Sequence, residues 1–400
     1  MADKVILHVG VPKTGTSFVQ DRLFNNPESL AAQGISYPAD RHDAQFLAAL
    51  DLMRLTWGGL EKQAAGAWER LASAVREAPG AAIVSHEIFG FASRAHVARA
   101  LEAFGDVETH VVLSARDLVR QIPAEWQENV KHRRTVTYAE FLEQVRDPAR
   151  NTTIGSWFWG VQEVPDILDR WGGTLPPERV HVVTVPHPGA ARDLLWRRLT
   201  DVFGIDPGSL PVSTDRDNPS LGVPETSLVL RLNTRINNVV GNERYRQFVR
   251  ELLVHKTLSR GQTSPRLSVP PEDYAWAAAL CGSWVAEIAK RGYDVVGDLE
   301  DLLPAACLPW VDPDRPDEAD VAAAGLKGLA AMVGEAARLR DVEIELHAVI
   351  KELERALAEA RDTPSYRLKE KLVDKADSNL VARVGLGAYR ALRGRNSRET

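Results

Sequence analysis

Lys13, Thr14, Thr16 and Ser17 lie within one short glycine-bounded run, Gly10-Val11-Pro12-Lys13-Thr14-Gly15-Thr16-Ser17. A mobile ammonium and several hydroxyls gathered in such a loop are the groups that hold an anion. The run follows an apolar stretch, Val5-Ile6-Leu7-His8-Val9, and precedes a helix-like stretch from Phe18 to Phe24. Strand, loop and helix in that order aim backbone N–H groups and a helix N-terminus at a phosphate. A connecting turn that binds nothing has no need of Gly, Lys and hydroxyls in this arrangement.

The order of residues departs from the Walker A loop of nucleotide triphosphatases, which requires Lys directly after the second Gly. Thr16 fills that slot, and the lysine sits inside the loop at Lys13. From there an ammonium reaches the bridging oxygen of a bound 5′-phosphate derivative and can neutralise charge on a leaving group, while Thr16 and Ser17 hold the phosphate. The segment Pro12-Lys13-Thr14-Gly15-Thr16-Ser17 resembles the 5′-phosphosulfate loop of sulfotransferases that use 3′-phosphoadenosine 5′-phosphosulfate (PAPS). By order of elements the resemblance covers roughly the first three hundred residues, with its motifs concentrated in the first half. It implies PAPS as co-substrate, no metal requirement, and sulfuryl transfer to a hydroxyl or amine acceptor with release of 3′-phosphoadenosine 5′-phosphate.

The resemblance also assigns roles to individual residues. Phe18 stands where these enzymes place an aromatic ring against adenine, although a core-facing helical Phe reads equally well. Arg116, in Leu113-Ser114-Ala115-Arg116-Asp117, matches the arginine that grips the 3′-phosphate. Its usual partner is a Ser eight residues on, but Ala124 occupies that position, so Arg120 or Gln127 is the expected substitute. Ser85-His86-Glu87 ends a strand beside the loop and supplies the acceptor's base: Glu87 if burial lifts its pKa, otherwise His86. Because side chains alternate along a strand, one of the two is expected to face the site. His42 and Gln127 are candidate acceptor contacts, and Trp126 either meets substrate or packs. Asn218-Pro219-Ser220-Leu221-Gly222 resembles a late loop of related bacterial enzymes, and Ser220 reads equally as a helix cap.

The elements that must position these groups read as an α/β fold: a P-loop-type parallel sheet flanked by helices, with an α-helical C-terminal extension. Candidate strands besides Val5–Val9 are Ala81–Ser85, His110–Ser114 and Val180–Val185, short apolar runs of the kind buried in parallel sheets. Helical spacing marks Ala64–Arg76, Arg94–Phe104 and Ser227–Asn238. Ligands in such sheets sit beyond the carboxyl ends of the strands, where the three polar clusters converge.

Four hundred residues with 44% hydrophobic and 26% charged content describe an ordinary globular chain. A net charge of −6 and a pI near 6.0 argue against nucleic acid as a partner. Cys281 and Cys307 have no zinc-ligand spacing and are too few for a disulfide framework. With no signal-peptide pattern and no apolar run of spanning length, the expected location is the cytoplasm.

The expected division is a catalytic domain over 1–310, a linker at 311–317, a long helix over 318–361 and a basic tail over 362–400. Leu326, Leu329, Val333 and Ala336 mark one heptad register; Leu339, Val342, Leu346, Val349, Leu353, Ala356 and Ala360 mark a second, offset by a stammer. Two readings stay open: a coiled coil joining copies of the chain, or one amphipathic helix packed on the catalytic domain. The tail, with Arg367, Lys369, Lys371, Lys375, Arg383, Arg390, Arg393, Arg395 and Arg398, is either a solvated end or a peripheral contact with an anionic membrane. Small-molecule, carbohydrate and lipid-linked acceptors are all open. Two further readings compete: a P-loop kinase or nucleotide hydrolase, disfavoured because no aspartate ends the second or third candidate strand, and a non-catalytic scaffold of the same fold.

Overall fold

The structure is a computed structural model that describes residues 2–211, 220–261, 263–305, 307 and 309–377. Strands β1 (Ala2–His8), β2 (Ile35–Ser36), β3 (Gly80–Ser85), β4 (Glu108–Ala115), β5 (Val180–Thr184) and β6 (Asp294–Val296) form one parallel sheet ordered β2-β3-β1-β4-β5-β6. The chain moves from β1 toward one edge and then returns to place β4 on the other side of β1. This reversal opens a crevice at the carboxyl ends of β1 and β4, the usual ligand position in such sheets.

Alternation explains why the strands are apolar throughout. Val5, Leu7 and Val9 join one core with Val84, Leu113 and Val182, whereas Ile6 joins a second core with Ile83, Val112 and Val183. Both faces are covered by helices: α1 (Thr16–Asn25), α2 (Ala44–Met53), α3 (Ala67–Glu77), α4 (Arg94–Phe104), α5 (Leu118–Lys131), α6 (Tyr138–Arg146), α7 (Thr153–Gln162), α8 (Val164–Gly172), α9 (Leu194–Phe203), α10 (Val223–Ile236) and α11 (Pro271–Arg291). The α/β class is thus the observed one. Helix α4 has the expected bounds because a Ser93–His96 capping box starts it and Gly105 follows its end. The expected helix over Ala64–Arg76 is instead broken: Gly66 turns left-handed (φ 72°) and separates a short turn, Glu61–Ala64, from α3. Helix α10 starts at Val223, earlier than expected, since Pro224 is well suited to a first turn.

Helix α12 (Glu318–Arg361) is anchored at its start, where Arg231 pairs with Glu318 and Val321, Ala324 and Gly328 are buried. From Ala330 on, the chain forms a separate unit. Within that unit Leu339, Val342, Leu346, Val349 and Leu353 are exposed along one stripe of α12, and α13 (Pro364–Asp377) follows. The basic residues from Arg383 to Arg398, and Asn218 and Pro219 of the late loop, lie outside the described residues. Among the described residues no helix is long and apolar enough to cross a membrane.

A buried polar network fastens the sheet below the loop. The His8 imidazole lies between Ser85 Oγ on β3 (2.8 Å) and Ser114 Oγ on β4 (3.0 Å). Ser114 Oγ also contacts Thr14 Oγ1 (2.5 Å) and donates to the Gly10 carbonyl (3.0 Å). Burial lowers the His8 pKa to about 4, with Glu87 opposing and His86 adding to the fall. A folded pKa below the unfolded 6.5 means that stability is complete above pH 6.5 and is lost as pH falls toward 4, because only the unfolded chain takes the proton there. Urea denaturation across this window should show a loss of about 3 kcal/mol in the native protein that a His8→Asn variant lacks. Equal pH dependence in the two proteins would refute the assignment.

Candidate functional site

The loop leaves β1 and turns back by using left-handed backbone at Lys13 (φ 66°) and Gly15 (φ 84°), before Thr16 opens α1. A lysine held in this conformation costs about 1–3 kcal/mol and is the kind of strain found at functional positions. Gly10 allows close approach: a Cβ there would meet the Glu87 carbonyl at 3.0 Å, at φ 121°. Thr14 is buried, donating to the Val11 carbonyl (2.6 Å), so it braces the loop from within. Thr16 is buried and Ser17 is exposed on the first turn of α1.

One face of α5 stands along the loop. Gln121 donates to the Pro12 carbonyl (2.8 Å), and Lys13 Nζ donates to Glu128 Oε2. Between them is Glu125, which is 5% exposed and whose Oε2 has no hydrogen-bond partner. Gln121, Glu125 and Glu128 follow helical spacing, so one face carries all three. Burial favours the neutral form of Glu128, but Lys13, His132 and Lys131 outweigh it and hold this carboxyl well below the usual range. Burial pushes Glu125 up to about 7, with Glu128 and Glu87 adding to the rise while Lys13 and a hydrogen bond from Trp157 hold it back.

Arg116, just beyond β4, makes no ion pair among the described residues. Its guanidinium donates to Gln121 Oε1 and to the Arg120 carbonyl (3.0 Å), and its buried Nε has no partner. Burial and the neighbouring Arg120 lower its pKa to about 10, against Asp117 and Glu125, so it stays a cation. Gln121 therefore joins Arg116 to the loop through one amide. Gln162 of α7 accepts from Gln121 Nε2 (2.8 Å) and leaves its own buried Nε2 without an acceptor.

Arg120 and Gln127 are not placed as the sequence suggested. Arg120 pairs with Asp117 and donates to the carbonyls of Pro186 (2.9 Å), Val185 (3.2 Å) and Asp301 (3.4 Å), a strut between α5 and the β5 end. Gln127 is buried and closes a two-way bond with Leu221, donating to its carbonyl (2.9 Å) and accepting from its N–H (3.0 Å). Both groups are engaged in holding the fold. Trp126 is buried and donates to the Val136 carbonyl (3.0 Å), so it packs. His42 lies against α1, edge-on to Phe24 at 5.4 Å and 4.0 Å from Asp21 Oδ1. Phe18 is 41% exposed rather than core-facing, edge-on to Trp196, with the Arg22 guanidinium over its ring at 4.7 Å.

His86 and Glu87 follow β3 rather than belonging to it. Glu87 opens a 3-10 turn (Glu87–Phe91), and His86 caps it through Nδ1, which accepts from the Ile88 N–H (3.3 Å). Strand alternation therefore does not divide the two, and both lie near the loop. Burial pushes the Glu87 carboxyl up, but His86, its own backbone N–H, Gln20 and Thr16 outweigh it, so its pKa falls below the ordinary value. The expected lift of Glu87 toward neutrality does not occur. Burial lowers His86, with Glu87 opposing, which keeps the imidazole neutral at pH 7. Among the described residues no group of acidic, His and Cys side chains is placed to hold a metal ion.

Sequence reasoning missed Gln121, Glu125 and Glu128. The signal was available as polar residues at helical spacing after a strand-end arginine, but a carboxylate near a phosphate loop reads as repulsive until Lys13 is seen beside it. Glu125 has a folded pKa above its unfolded value, so its share of stability is full below pH 4.5 and is lost as pH rises through 7. Relative to a Glu125→Gln variant, the native protein should lose about 3 kcal/mol between pH 4.5 and 8, read by denaturant titration. A constant difference across that range would show that the carboxyl titrates normally.

No family model matches the chain, and no curated protein matches it. Among solved structures, the crystal structure of a sulfotransferase from Alicyclobacillus acidocaldarius is matched at 19% identity with a TM-score of 0.38, over 62% of this chain and 100% of that one.

Proposed function

We propose that this protein transfers a sulfuryl group from PAPS to a hydroxyl or amine acceptor. The observation that carries the reading is the Gln121 amide, which ties a half-buried arginine without a carboxylate partner to the carbonyl of a lysine-bearing loop. Two separate cationic positions at one crevice suit a nucleotide with phosphates at both its 5′ and 3′ positions. Orphaned donors, Arg116 Nε and Gln162 Nε2, are what an absent anion would satisfy.

Thr16, Ser17 and the N-terminus of α1 hold the 5′-phosphosulfate, Arg116 holds the 3′-phosphate, and the exposed Phe18 ring supports adenine. Ala124 offers no hydroxyl to the 3′-phosphate, and Gln162 Nε2 takes that place. The acceptor oxygen bonds to sulfur as the bond from sulfur to the 5′-phosphate oxygen breaks. Lys13 leaves Glu128 to meet the charge that collects on that oxygen, as in other transfers dominated by electrostatics. The acceptor proton passes to the Glu87–His86 pair, in which Glu87 Oε2 lies 3.9 Å from His86 Nδ1. The exposed stripe of α12 we assign to a second copy of the chain, in a coiled coil, and light scattering should show that Leu346→Asp converts an oligomer to a monomer.

Calorimetry with adenosine 3′,5′-bisphosphate tests the central assignment. Binding should weaken by about tenfold or more in Arg116→Ala and in Lys13→Ala, since each removes a charge-assisted contact. Absence of heat in the native protein, or thermal stabilisation by ATP with magnesium in preference to the bisphosphate, would overturn it.

A further inference from the structure

Across the amino ends of three strands, on the rim opposite the loop, four side chains meet in a row. Glu108 and His110 come from β4, His181 from β5 and Asp294 from β6. His110 Nε2 lies 2.9 Å from Glu108 Oε1, His110 Nδ1 lies 2.9 Å from His181 Nε2, and His181 Nδ1 lies 2.7 Å from Asp294 Oδ2. The ring planes differ by 9° and the centroids stand 5.2 Å apart, so the rings meet edge to edge, nitrogen facing nitrogen. Both rings are half-buried, and both carboxylates are exposed.

A count of protons over this row fixes its charge. Ionised carboxylates only accept, so each outer nitrogen must carry a hydrogen, and the central contact needs one hydrogen between its two nitrogens. Three contacts take three protons, whereas two neutral imidazoles hold two. A fourth proton would set two N–H groups against each other across 2.9 Å. The neighbouring charges bear on both ends of this count. Arg179, in the turn before β5, donates to Glu108 Oε2 (2.9 Å). The hydrogen bond from His110, then Arg179 and Lys4 of β1, hold the Glu108 carboxyl below its ordinary value, so it stays an acceptor. Burial lowers the His110 pKa, with Glu108 opposing and His181 and Lys4 adding to the fall, which resists the fourth proton.

We infer that His110 and His181 share one excess proton and, with Glu108 and Asp294, form a proton-dependent clasp across β4, β5 and β6. Strand β6 is a three-residue edge, and the chain beyond it runs to Asp301. There the Asp301 carboxylate pairs with Arg198 (2.6 Å), and its carbonyl accepts from Arg120 of α5 (3.4 Å). The clasp fixes the start of that segment. Imidazoles of the unfolded chain titrate together at about 6.5. In the row the first excess proton is bound more tightly than this and the next less tightly, so the pair titrates in two separated steps. The upper step contributes stability that is full below about pH 6.5 and is lost as pH rises through it. The lower step contributes stability that is full above about pH 6.5 and is lost as pH falls through it. The clasp is therefore strongest near neutrality and slackens on either side.

Selective ¹⁵N-histidine NMR of the full chain between about pH 4 and 9 reads the protonation of each ring, with His110→Gln and His181→Gln assigning the signals. The pair should titrate in two steps, about one pH unit above and below 6.5. Asp294→Asn, at an exposed position, sets an amide N–H against His181 Nδ1, so that two neutral rings fill every contact. That variant should lower the upper step by about one pH unit or more. Its response also identifies the pair's signals if a His variant does not fold. Two rings that titrate together near 6.5, or an upper step that Asp294→Asn leaves in place, would overturn the shared proton.

Discussion

His8 holds a neutral imidazole between two serine hydroxyls on neighbouring strands, directly beneath the loop that follows its own strand. Ser85 and Ser114 are near the carboxyl ends of β3 and β4, so one ring spans the three central strands. Ser114 passes the connection upward to Gly10 and Thr14, which sets the height and tilt of the loop. A buried network of this kind is valuable only when each member is satisfied, because an unpaired polar group in low dielectric is costly. The ring must therefore stay uncharged, and burial ensures that it does.

On this platform the protein keeps an electrostatic imbalance. Lys13 is held in a strained backbone conformation and paired with Glu128. Arg116 is half-buried and hydrogen-bonded to neutral acceptors, with Asp117 and Glu125 acting on its charge through space. Glu125, between them, carries its proton until about neutrality and so avoids adding a second negative charge beside Glu128. The three conditions depend on each other because one helix face carries Gln121, Glu125 and Glu128 past both cations. The same helix uses Arg120 and Gln127, from its other sides, to brace β5 and the Leu221 segment.

Much of this was legible beforehand, for local reasons. The four central strands stand out because buried parallel strands must be apolar on both faces, which makes them continuous runs in the chain. Helix α4 announces its ends through Ser93 and Gly105. The edge strands Ile35–Ser36 and Asp294–Val296 are too short to leave any pattern and exist only because β3 and β5 offer free ladders. Loop, strand-end arginine and His86-Glu87 were visible for the same reason: each is a short contiguous motif. That Arg120 and Gln127 reach backbone groups of other segments was not legible, because residue type shows that a side chain can form such bonds but not which groups the fold brings to it.

The amino-acid order alone determined the class of fold, the glycine-bounded turn after the first strand and the place of the lysine within it, since these depend on neighbours a few positions apart. Only the tertiary structure decided which carboxyl meets that lysine, that Glu87 stays ionised, and that His110 meets His181 between two carboxylates. Those outcomes depend on distance and burial between residues far apart in the chain, and desolvation and Coulomb energy are set by where side chains end up in space.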